Sequence, residues 1–163
     1  MSTSIYKLSL LMGLGSSRWL ILGFVLFASN ISMGQKTLTW EMMAEIEYSP
    51  VYMEELGTLF DVASFSTQIM ELEGQRVEII GYLLPIDVMG DEYALSQGPF
   101  AACFFCGKSG PESVMELKIR KKENWFGMDR LVLFSGLLEL NASDPNNLYY
   151  ILTDAVAEER LDK

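Results

Sequence analysis

Histidine is absent from this chain, cysteine occurs only twice, and lysine plus arginine number 12 against 22 aspartates and glutamates. Without histidine, a zinc site must draw on thiolates, acids, water or a second copy of the chain. The shortage of base leaves no cationic stripe of the kind that tracks a phosphate backbone, which excludes a nucleic-acid binder. The one prominent apolar run, Trp19 to Ala28, falls short of the ~20 residues that span a bilayer. Repeats and low-complexity tracts are missing. Gly107-Lys108-Ser109 echoes the end of a phosphate-binding loop, but Ala102 stands where that motif needs a glycine.

What is present at the N-terminus points to export. Lys7 and Arg18 precede the apolar run, no acid occurs before Glu41, and Ser32-Met33-Gly34 puts small residues at the positions signal peptidase prefers before Gln35. Residues 1–34 therefore read as a signal peptide, with an uncleaved N-terminal anchor as the alternative and Met12 as a rival start to Met1. After cleavage no stable membrane span is expected, and the protein is periplasmic or secreted. Cleavage removes Lys7 and Arg18 but no acid, leaving ten basic and 22 acidic residues in a 129-residue chain of net charge −12. That length suits one domain.

Two textures follow. Residues 35–73 read as a helical or irregular arm: Trp40, Met43, Ile46 and Glu47 have a loose helical spacing, broken by Ser49-Pro50, and Val51, Met53, Leu56, Leu59 and Phe60 form a second apolar set. Residues 74–163 read as strands divided by turns. Five are expected: Arg76–Leu84, stopped by Pro85; Glu92–Ser96, after a turn at Met89-Gly90-Asp91; Ser113–Arg120; Leu131–Leu140, with Gly136 at a bend or bulge; and Leu148–Thr153. A bent first strand and a kinked fourth are what a short sheet needs in order to close. The expected fold is mainly β (α+β overall), a small OB-like five-stranded Greek-key barrel with a short N-terminal helical arm; an antiparallel sheet with a helix on one face is the alternative.

The most specific chemistry is the pair Cys103 and Cys106, with Phe104 and Phe105 between them and glycine–proline punctuation at Gly98-Pro99 and Gly110-Pro111 on either side. Three readings stay open. Two thiolates supply half of a tetrahedral zinc site, with Glu112 as the nearest acid to add, or a symmetric homodimer contributes four sulfurs. With a methionine thioether such as Met115 they also suit Cu(I). Alternatively the pair is a thiol–disulfide couple, whose thiolate Lys108 would favour electrostatically, although Gly107 to Pro111 is a poor helix start for a thioredoxin-like site. The third reading is a structural disulfide that shapes a partner-binding loop; so small a ring removes little unfolded-state entropy. Export favours an oxidised pair. Phe104 and Phe105 are either a ligand-facing wall or anchors into the core. Asn141-Ala142-Ser143 matches a glycosylation acceptor pattern of the kind that also arises by chance.

The stretch Val77-Glu78-Ile79-Ile80-Gly81-Tyr82-Leu83-Leu84-Pro85-Ile86, then Phe100-Ala101-Ala102-Cys103, then Pro111-Glu112-Ser113-Val114, resembles domain-of-unknown-function family 3299, a family of exported bacterial proteins. Many relatives carry a histidine after the first cysteine; this Cys-Phe-Phe-Cys form is similar to a variant of the Bacteroidetes branch. The resemblance covers about residues 74 to 154. It implies an exported small β-barrel-like domain connected with metal handling or envelope transport, with Cys103 as the shared cysteine and Cys106 near the relatives' histidine. It implies no enzymatic reaction, and no catalytic set is visible in the residues themselves. The expected function is that of an exported binding or accessory protein handling a thiophilic metal, zinc or Cu(I), through Cys103 and Cys106. Its partner is an unknown envelope protein or the metal ion itself.

Overall fold

A computed structural model of the chain describes residues 35–87, 92–102, 107 and 109–161. The expected signal peptide, the Met89-Gly90-Asp91 turn, and Cys103, Phe104, Phe105, Cys106 and Lys108 lie outside the described residues.

The chain begins with a two-residue strand, β1 (Lys36–Thr37), and a single helical turn, α1 (Trp40–Met43). Thr39 caps α1, its hydroxyl accepting from the Met42 amide at 3.3 Å. A second turn, α2 (Thr67–Met70), closes the arm. Both turns lie within the stretch read as a helical or irregular arm. Between them the expectation of a helical or irregular chain is corrected: β2 (Ile46–Met53) and β3 (Thr58–Phe65) form an antiparallel hairpin turned by Glu54–Gly57. Pro50 bars a helix interior, while Val51, Tyr52, Phe60 and Val62 favour a pleated strand.

The body is a barrel built from β4 (Arg76–Pro85), β5 (Tyr93–Ser96), β6 (Val114–Ile119), β7 (Arg130–Leu140) and β8 (Tyr150–Arg160). β4 pairs with β5, β5 with β6, β6 in parallel with β8, β8 with β7, and β7 returns to β4. A closed mixed barrel of five strands in this order has the Greek-key arrangement of an OB-fold. On β4, Val77, Ile79 and Gly81 are buried while Ile80, between the last two, is 48% exposed, the period-2 alternation of a strand with one face on the core. β5 covers only the C-terminal half of β4, and β1 takes up the vacant edge, Lys36 opposite Val77.

Closure requires close approach at two glycines. A side chain on Gly136 would lie 2.7 Å from the Thr153 carbonyl, and one on Gly81 would lie 2.8 Å from the Ser96 carbonyl. The β7–β8 register shifts between Ser135 and Leu137, so the bulge expected at Gly136 is present. β8 runs seven residues beyond the expected end at Thr153, because Asp154 adopts φ 51° and re-phases the strand. Arg120 and Arg76 both ion-pair with its carboxylate across the bulge. The interior is filled by Leu83, Leu95, Met115, Phe134, Leu152 and Tyr150, all buried. The Tyr150 hydroxyl donates to the Met43 carbonyl at 2.8 Å, and the Trp40 indole donates to the Ile80 carbonyl at 2.7 Å, which seats α1 against the barrel.

Candidate functional site

The loop that carries the two cysteines joins β5 to β6, and its geometry is set at its base. Gln97 N–H donates to the Ser113 carbonyl at 3.0 Å, extending the ladder by one step before the chain departs. The outgoing limb makes a 3₁₀ turn, Phe100–Ala102, and the returning limb another, Pro111–Ser113. Phe100 N–H donates to Asp129 Oδ1 at 2.6 Å, and Asp129 N–H donates to the Leu83 carbonyl at 3.0 Å. Asp129 precedes β7, on the opposite side of β4 from β5. The outgoing limb therefore crosses β4, and with the interior filled it crosses the outside. Leu84, Ala94, Ser96 and Val114 point away from the interior that Leu83, Leu95 and Met115 fill, yet all four are buried.

The two limbs then meet. Ser109 Oγ donates to the Ala102 carbonyl at 2.7 Å, so positions 103–108 form a segment whose two flanking residues are hydrogen-bonded to each other. Ser113 holds the returning limb, its amide and hydroxyl both donating to the Gly110 carbonyl, at 3.0 and 2.6 Å. Gly107 has φ +68°, and the described residues after Cys106 contain no α-helical turn before β6. A helix N-terminus of the thioredoxin kind is thus not built from the described residues on that side.

Of the predicted site residues, Glu112 and Met115 are among those described, and Met115 is buried in the barrel core. Glu112 stands at the loop. It accepts a hydrogen bond from the Tyr48 hydroxyl, 3.1 Å from Oε2, and its carboxylate folds back so closely over Gly110 that any side chain there would collide with it. Burial and then Glu112 push the Tyr48 hydroxyl far above its ordinary value, and the same two causes raise Tyr150. Both phenols stay protonated, so Tyr48 acts as a donor to the carboxylate. The Tyr48 and Tyr149 rings stand 5.2 Å apart and complete this junction between arm and barrel. Glu112 is therefore held at the root of the loop, facing the arm. Among the described residues, no three acids or cysteines cluster in a way that would hold a metal ion.

Three contributors to this site carry no sequence signal. Tyr48 is 64 positions from Glu112, Asp129 is 29 positions from Phe100, and Ser109 lies inside the false phosphate-loop match. An open groove of about 650 Å³ lies along Tyr93, Lys118 and Arg120 and reaches Glu92 and Asp154. Arg120 there is ion-paired with Asp154 and Lys118 with Glu116, so charges within the groove offset one another. Asn141, first residue of the glycosylation-like triplet, has its amide turned inward onto the carbonyls of Asp144, Asn147 and Leu148. Among the described residues no helix is long and apolar enough to cross a membrane.

No family model matches the chain, and no curated protein matches it. Among solved structures it is similar to the crystal structure of a DUF3299 family protein from Pseudomonas aeruginosa PAO1, at 16% identity and a TM-score of 0.48, over 78% of this chain and 95% of that one. That neighbour carries the family name that the sequence motifs resemble.

Proposed function

We propose that the protein is an exported accessory protein that binds a thiophilic metal ion, zinc or Cu(I), through Cys103 and Cys106. One observation carries this reading: the segment holding both cysteines lies between two residues, Ala102 and Ser109, that are hydrogen-bonded to each other at 2.7 Å. With its two flanking residues already joined, bringing the ends of the segment together is a cost that chelation does not have to meet. With no histidine in the chain, the two thiolates supply the soft ligands. Glu112 is close to the loop in sequence but occupied by Tyr48, which suits an outer partner better than a direct ligand. Water or a second copy of the chain completes the coordination. The chain's contribution is the two thiolates and the joined flanks on either side of them.

A thiol–disulfide role is the second reading, and the +68° φ of Gly107 weighs against it by breaking the path into a helix that would stabilise a thiolate. The third, a local disulfide shaping an interaction loop, shares the same neck.

Native mass measured with and without thiol alkylation tests all three. A metal-sized addition that blocks alkylation, disappears with chelator and is lost in Cys103→Ser and Cys106→Ser supports the proposal. Metal binding that survives Cys103→Ser overturns it. A metal-free mass two hydrogens below that of the dithiol establishes the disulfide, and its reduction potential then separates a redox couple from a clip.

A further inference from the structure

The arm is the most one-sided part of the molecule. Between Lys36 and Arg76 there are eight acids, Glu41, Glu45, Glu47, Glu54, Glu55, Asp61, Glu71 and Glu73, and no lysine or arginine. The hairpin inside it is also unevenly covered. At its base, Ile46 pairs with Phe65 and Tyr48 with Ala63, and this face packs on the barrel: Ala63 is buried, and the Phe65 and Tyr150 rings meet at 5.4 Å. Two steps out on the same face, the Tyr52–Leu59 pair is 60% and 64% exposed. Val51 and Leu56, both 46% exposed, add to the apolar surface of the distal half. β3's outer edge is occupied by the loop before β8, through Ala63 N–H to the Ala142 carbonyl and the Tyr149 hydroxyl to the Asp61 carbonyl. Along the outer edge of β2 no strand pairs among the described residues.

A two-stranded ribbon is marginal in water without a surface to pack on, and an exposed apolar edge invites association. Here the face that seats the base continues, uncovered, past the barrel. Charge decides what covers it. A second copy would bring Glu54, Glu55 and Asp61 against the same three acids, and an anionic membrane surface is repelled for the same reason. We infer that the distal half of the β2–β3 hairpin is a docking surface for a cationic, apolar segment of a partner protein, its apolar residues meeting Tyr52, Leu59 and Leu56 and its Lys/Arg residues meeting Glu54 and Glu55. This surface is independent of the cysteine loop and stands whether or not that loop holds metal.

The test uses three synthetic peptides: an alternating Lys/Leu peptide that favours an extended form, a Lys/Leu peptide at helical spacing, and a Lys/Ser peptide of equal charge without apolar residues. Binding is followed by fluorescence anisotropy and mapped by amide chemical shifts in the intact protein. One Lys/Leu peptide is expected to perturb residues 46–65, to weaken with added salt, and to bind about tenfold less well to Tyr52→Thr/Leu59→Thr, the size of loss usual for an apolar hot spot. The Glu54→Lys/Glu55→Lys variant leaves the Tyr52–Leu59 pair in place and is expected to weaken binding similarly, so a failure of the first variant to fold does not blunt the test. Equal binding of the Lys/Ser peptide, shifts outside the hairpin, indifference to both variants, absence of binding, or a dimer in sedimentation that buries Tyr52 and Leu59 would each overturn the inference.

Discussion

The Tyr48 hydroxyl donates to Glu112 across 64 positions of sequence, joining β2 of the arm to the turn that closes the cysteine loop. One bond thus makes the arm and the loop parts of a single structure.

Tyr48→Phe removes that donor and keeps the ring against Tyr149. A half-buried hydrogen bond to a charged acceptor is worth about 1.5–3 kcal/mol, and partial exposure brings the expected loss to the lower end of that range. Urea denaturation measures it. Amide exchange at Gly110 to Ser113 is expected to accelerate while exchange in β7 is unchanged.

Alkaline pH should unfold the protein through its tyrosines. Tyr48, Tyr149 and Tyr150 are all held above the ordinary value of 10.0, first by burial. The folded state keeps these protons more tightly than the unfolded state, so the stabilisation is complete below pH 10 and is lost progressively above it. Denaturation midpoints from pH 8 to 11.5 are expected to stay level and then fall, and Tyr48→Phe is expected to flatten the fall.

Acid behaviour has the opposite sign. The Arg120 and Arg76 guanidiniums lower the Asp154 carboxyl from 3.8 to about 2. Its contribution is present above pH 3.8 and disappears as pH falls through about 2. Asp154→Asn tolerates the left-handed backbone but removes the charge, so the variant's stability should change less than the wild type's between pH 4 and 2. A circular-dichroism titration of both proteins checks this.

Gly81→Ala should destabilise although it adds one methyl group. The new carbon would sit 2.6 Å from Leu95 Cγ, 2.8 Å from the Ser96 carbonyl and 2.9 Å from the Trp40 ring. Forcing a group into a packed site costs about 1–3 kcal/mol. A lowered Tm together with altered Trp40 fluorescence is expected; an unchanged Tm would show that β4 and β5 can separate there at little cost.

Asn141 organises the turn before β8, its side-chain oxygen accepting from the amides of Ser143 and Asp144 while its nitrogen donates to three carbonyls. Asn141→Ala is expected to cost about 0.5–1.5 kcal/mol, the net worth of an ordinary hydrogen bond, since the groups it serves are exposed or half-buried and water can replace it. Thermal melts of the two proteins compare them directly.

The barrel was legible where one strand face meets the core. On β4 from Arg76 to Leu83 and on β6 from Met115 to Lys118 burial follows the alternation of side chains, so these strands declare themselves by period; Leu84 and Val114 break it because the loop covers the outer face there. The hairpin was not legible, because its distal half buries neither face and its apolar residues therefore follow no period that packing enforces. The last seven residues of β8 escaped for another reason: the bulge at Asp154 shifts the phase, and a strict alternation cannot be followed across it. At the candidate site the cysteine spacing and Glu112 were visible, whereas Tyr48, Asp129 and Ser109 were not, since each acts through a partner distant in the chain or through an oxygen that composition does not single out.

The sequence by itself determined which residues carry soft-ligand chemistry, where the strands alternate, and that the arm is acidic without a balancing base. These are local properties, set by residue type and spacing. Only the tertiary structure decided that Ala102 meets Ser109, that Tyr48 meets Glu112, and that Tyr52 and Leu59 stand beyond the cover of the barrel. The Tyr48–Glu112 contact joins segments 64 positions apart, and the Ala102–Ser109 contact depends on the two limbs leaving neighbouring strands. The exposure of Tyr52 and Leu59 depends on where the barrel ends, and no local pattern encodes any of the three.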